Sequence, residues 1–125
     1  MTTFTVPGPP VPWERAGRIG SRYFTKPRTA AFKQKIAHAA RLAGVKLIEK
    51  PHPVMVTMVF RLPRPKRGKY ADPIDRRDLD NLAKSVLDAM NGIAWDDDGQ
   101  VCRLFIEKRY DREPATVVTV NHLYP

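Results

Sequence analysis

Cysteine is almost missing from this chain: Cys102 is the only one among 125 residues. A lone thiol excludes an intrachain disulfide and any multi-cysteine zinc site. Long apolar runs are missing as well, and none approaches the ~20 residues that span a bilayer. The opening MTTFTVPGPP has neither the basic n-region nor the apolar core of a secretory signal, so a cytoplasmic location is expected. Acids are scarce. Thirteen Asp and Glu stand against 22 Lys and Arg, for a net charge of +9. That balance favours a polyanionic partner, and nucleic acid before a membrane, since no basic amphipathic helix with an aromatic face is present. A Gly-rich P-loop and a GxSxG nucleophile elbow are both absent, which removes two common catalytic frameworks.

What is present suits one folded unit. Hydrophobic residues make up 42% of the chain, ordinary for a domain with a single core, and no linker or repeat divides residues 1–125. Phe4 to Val6 reads as a short strand running into a stiff segment that carries Pro7, Pro9, Pro10 and Pro12. From Trp13 to Lys26, Arg15, Arg18 and Arg22 alternate with Trp13, Tyr23 and Phe24. Such mixing suits phosphate contact with base stacking, or else a solvated loop whose aromatics fold back on the core. Thr29 is the expected N-cap of a first helix with an apolar stripe of Phe32, Ile36, Ala39 and Ala43, stopped at Gly44. His38 lies off the stripe, with no ligand partner nearby.

Pro53 to Leu62 alternates as a strand, with Val54, Val56, Met58, Phe60 and Leu62 on one face. A Pro- and Gly-containing loop follows, carrying Arg64, Lys66 and Arg67, and then Arg76 and Arg77. Its charge suits a phosphate backbone, although a basic run is also the ordinary make-up of a solvated loop. A second helix is expected from about Asp78 to Asn81 onward, with Leu82, Val86, Ala89 and Met90 on its apolar side. Val101 to Tyr110 and Thr116 to Leu123 read as two strands paired in a hairpin, with Cys102, Leu104 and Ile106 on the core face of the first. The order β-α-β-α-β-β predicts an α+β domain with one mixed sheet and two main helices.

Six of the thirteen acids fall in Arg76–Val101: Asp78, Asp80, Asp88, Asp96, Asp97 and Asp98. Structural roles would account for some of them, with Asp80 as an N-cap, Asp78 complementing the helix dipole, and Asp96 to Gly99 as a polar turn. Three consecutive aspartates nevertheless repel one another unless cations neutralise them. A calcium EF-hand fails, because placing Gly99 sixth puts Ala94 first and Phe105 twelfth. Carboxylates beside Lys84 on a basic protein fit a hard Mg2+ or Mn2+ ion and metal-assisted phosphodiester hydrolysis, with the lysine offsetting transition-state charge.

The run DLDNLAKSVLDAMNGIAWDDDGQV carries D-x-D-N-x-x-K-x-x-x-D-A followed by D-D-x-Q-V, and closely resembles the signature of the RusA Holliday junction resolvases. The N-terminal VPGPPVPWERAGRIGSRYFTKPRTAAFKQKI is similar to that family's opening. The resemblance implies a homodimeric, Mg2+-dependent endonuclease that nicks opposing strands of a four-way junction symmetrically. It matches Asp78 and Asp80 to paired catalytic, metal-binding aspartates, Lys84 to the catalytic lysine, Asp98 to the third essential aspartate and Asp97 to its acidic neighbour. Asn81 and Asp88 match motif positions with structural roles. Asp96 departs from the pattern by extending the acidic pair to three. Arg15, Arg18, Arg22, Arg64, Lys66, Arg67, Arg76 and Arg77 are the candidates for DNA contact. A non-catalytic basic DNA-binding protein, or a nuclease of other branched DNA, stands as the alternative.

Overall fold

The computed structural model describes residues 1–65 and 77–124. Strand β1 (Thr2–Pro7) is followed by a small hairpin, β2 (Gly17–Ile19) and β3 (Arg22–Phe24), then helix α1 (Pro27–Leu42) and strand β4 (Val54–Pro63). Helix α2 (Leu79–Met90), a 3-10 turn at Asp98–Gln100, and strands β5 (Val101–Asp111) and β6 (Ala115–His122) complete the chain. The main sheet has the order β1-β6-β4-β5, and β4 pairs with β5 in parallel and with β6 antiparallel. It is mixed, as expected.

Both helices contribute to a core on one sheet face. The alternation of β4 is realised in full: Val54, Val56, Met58, Phe60 and Leu62 are all buried. Phe4, Val6, Val118 and Val120 from the other strands, and Phe32, Ile36, Leu82 and Val86 from the helices, form one cluster with Val54, Val56, Met58 and Phe60. The opposite face carries Thr3, Thr5 and Thr119, which explains why one layer of helices suffices.

Four expectations change. Helix α1 starts two residues before Thr29, with Lys26 at the N-cap and Pro27 just inside, where a missing N–H costs nothing. Thr29 is buried instead of capping, and Ala40, not the exposed Ala43, completes the apolar stripe; Gly44, at φ +76°, ends the helix as expected. Strand β6 does not pair with β5 in a hairpin. It inserts between β1 and β4, where Val118 and Val120 are buried, leaving the charged β5 at the sheet edge. Cys102 and Leu104 are therefore exposed, and in β5 it is Val101 and Ile106 that pack against the core.

Candidate active site

Helix α2 presents the first part of the site. Asp78, not Asp80, is its N-cap, and the Asp78 side chain makes no capping hydrogen bond. Asp80 lies in the first turn, and both residues are exposed. Neither carboxylate takes part in an ion pair among the described residues. Two acids whose oxygens make no described bond to the fold thus sit together at the N-terminal end of α2. Lys84 follows Asp80 by one turn and is exposed on the same side of the helix. The helix start is tied to the sheet by Lys108, whose Nζ donates to the Arg77 carbonyl at 2.9 Å.

Lys84 is not free in solvent. Its Nζ stands 3.6 Å from the centroid of the Trp13 ring, and the Trp13 backbone N–H donates to the Asn81 carbonyl at 2.9 Å. Pro10 is buried and Val11 packs against the core, so the proline-rich segment lies as a strap across the domain and delivers Trp13 to α2.

The second acidic group is the turn before β5. Gln100, buried, organises it: Oε1 accepts from the Asp96 and Asp97 N–H groups at 2.8 and 3.0 Å, while Nε2 donates to the Ile48 and His52 carbonyls at 2.8 and 3.0 Å. Asp96 Oδ2 accepts from the Lys50 N–H at 2.8 Å, and Asp97 Oδ2 from the Gly99 N–H at 2.9 Å. A Cβ on residue 99 would stand 2.8 Å from that Asp97 oxygen, so glycine is the residue that fits. Asp98 Oδ1 accepts from the indole N–H of fully buried Trp95 at 2.8 Å. Asp96 and Asp97 thus brace the turn, and Asp98 is aimed by a rigid donor.

These two acidic groups lie at opposite ends of α2. The helix has 12 residues, or about 18 Å at 1.5 Å per residue. Strand β5 leads from the aspartate turn towards Lys108, which touches the helix start. Among the described residues no group of three or more His, Cys, Asp or Glu side chains is close enough to hold a metal ion. The chain therefore brings Asp78, Asp80 and Lys84 together and holds Asp97 and Asp98 apart from them. The Asp78–Asp80 pair alone suits Mg2+ in donor chemistry, since that ion is commonly held by one or two carboxylates, with water and phosphate completing its shell.

Of the basic candidates, Arg15, Arg18 and Arg22 are exposed on and beside the β2–β3 hairpin. Arg18 lies over Tyr23 at 5.6 Å, and Tyr23 (70% exposed) and Phe24 (42%) point outward, so these aromatics do not fold back on the core. Arg64 is exposed over Tyr110, at 5.5 Å from the ring. Arg77 is half-buried beside Asp78. Lys66, Arg67 and Arg76 lie outside the described residues. Sequence reading missed the Trp13–Lys84 contact and the Trp95–Asp98 bond. The i+3 spacing of Trp95 and Asp98 was a usable signal for the second, whereas nothing local links Trp13 to Lys84.

Residues 7–121 match the family described as Endodeoxyribonuclease RusA. The chain is also 31% identical, over 96% of its own length and 95% of the other's, to the uncharacterized protein YqaN of Bacillus subtilis (strain 168).

Proposed function

The chain belongs to the RusA family of endodeoxyribonucleases, and from that premise we propose that it resolves four-way DNA junctions in recombination and repair by Mg2+-assisted phosphodiester hydrolysis, with Mn2+ as a substitute ion. The observation that carries this reading is the uncommitted Asp78–Asp80 pair at the start of α2, with Lys84 one turn further on. Asp78 and Asp80 would hold the ion, which supplies polarisation of the scissile phosphate and of the attacking water. Lys84 places its ammonium where charge builds on the phosphate oxygens. The arginines at positions 15, 18, 22, 64, 76 and 77, with Lys66 and Arg67, contact the backbone without reading sequence. No helix among the described residues is long and apolar enough to cross a membrane, and the cytoplasm is the proposed site of action.

A homodimer completes the reading. A two-fold symmetric junction cut on opposing strands needs two sites related by a dyad. Asp98 lies at the wrong end of α2 to join Asp78 and Asp80 in its own chain, so we assign it to the partner's site. The free edge of β5 supports this: Leu104 and Phe105, 39% and 61% exposed, lie mid-strand on an edge that pairs with no strand among the described residues. Antiparallel pairing of two β5 edges around these residues would set the aspartate turn of one copy near the α2 start of the other. Asp98 and its neighbour Asp97 would then supply the remaining carboxylates.

The test is a synthetic four-way junction labelled on each strand in turn, with and without Mg2+, beside linear duplex. Paired, metal-dependent nicks in opposing strands of the junction support the resolvase reading. Tight junction binding with no cut under either ion would overturn it.

A further inference from the structure

We propose that Trp13 is a positioning residue for Lys84: its indole face holds the ammonium in place for the phosphate. This rests on the catalytic reading of Lys84 given above. A lysine side chain on an exposed helix face samples many rotamers and loses that freedom when it is fixed. Here the 3.6 Å contact places the ammonium over the ring face, the geometry in which the quadrupole of an aromatic attracts a cation.

The ring itself is held from both sides in sequence. Behind it, Pro7, Pro9, Pro10 and Pro12 stiffen the strap, and buried Pro10 and core-packed Val11 anchor it. At Trp13 the backbone N–H is bonded to the Asn81 carbonyl, one helical turn before Lys84. Ahead of it, Glu14 pairs with Lys26 at 3.6 Å, tying the two ends of the hairpin segment together. Indole and ammonium are thus referenced to the same turn of α2 that carries Asp80. A residue that only stacked on DNA would need neither the backbone bond to α2 nor the contact with the lysine. This also accounts for a tryptophan that is neither in the core nor fully exposed.

The experiment compares Trp13→Ala, Trp13→Leu and Trp13→Phe with the wild-type chain in single-turnover cleavage and in junction binding measured in Ca2+. Expected are a fall in the cleavage rate of about two- to thirtyfold for Trp13→Ala and Trp13→Leu, and recovery of most of it by Trp13→Phe. Junction Kd should stay within about twofold of wild type, because the ring acts through Lys84. A spectroscopic arm needs no turnover. Of the two tryptophans Trp95 is fully buried and Trp13 is not, so Lys84→Met should alter tryptophan emission in the wild-type background and leave it unchanged in the Trp13→Phe background. Equal rescue by Leu and Phe would make Trp13 a packing residue, and a raised Kd with an unchanged rate would make it a DNA-stacking platform; either overturns the proposal. Should Lys84→Met itself cleave normally, the catalytic reading of the lysine fails instead, and the two failures are told apart.

Discussion

Gln100 makes four hydrogen bonds from one buried side chain, and they join the aspartate turn to the 48–52 segment before β4. Gln100→Ala strands two N–H groups and two carbonyls, and should destabilise the fold by about 2–3 kcal/mol in urea unfolding at fixed protein concentration. Asp78→Asn should behave in the opposite way. Its carboxylate caps nothing and pairs with nothing described, so stability should stay within about 0.5 kcal/mol while Mg2+-dependent cleavage drops about a hundredfold or more and junction binding is kept. Normal cleavage by that variant would remove Asp78 from the metal site. The motif made both positions visible in the sequence, but not their different duties. Gln100 resembles a solvated polar residue until its partners 48 and 52 positions away are known. Asp78 takes the N-cap position that the sequence suggests for Asp80, and only the structure shows that its side chain makes no capping bond.

Elements with strong periodicity were legible, and those governed by long-range choices were not. Strand β4 and the stripe of α2 follow from apolar spacing alone, because each buries one continuous face. The order β1-β6-β4-β5 depends on which strand fills the place between β1 and β4 and which is left at the edge, a choice between β5 and β6 that no local pattern reports. The three-residue strands of the β2–β3 hairpin are too short for periodicity, although Gly20, at φ +62°, marks its turn. That hairpin extends Tyr23 and two arginines into solvent, an arrangement suited to unpaired bases at a branch point. Tyr23→Ala should raise junction Kd about five- to tenfold with little change in the urea midpoint. Unchanged affinity would mean that the hairpin stacks on nothing.

At the scale of the whole molecule, the net charge of +9 and the separation of the acids set two behaviours. Junction affinity should fall with salt at a log-log slope of about −0.9 per phosphate neutralised, and Arg18→Ala should flatten that slope by about one. The separated acids permit a sharper test. An Asp78→Asn homodimer and an Asp98→Asn homodimer should each be inactive. When the two are unfolded, mixed in equal amounts and refolded, half of the dimers are mixed, and in each of these one site draws Asp78 and Asp98 from the two unmutated positions. About one quarter of wild-type sites should therefore return, seen as single-strand nicks in place of paired ones. If the three aspartates worked within one chain, every site in the mixture would still lack one of them, and no activity would return at any mixing ratio. Recovery of nicking thus reports directly that the catalytic centre is built between two copies.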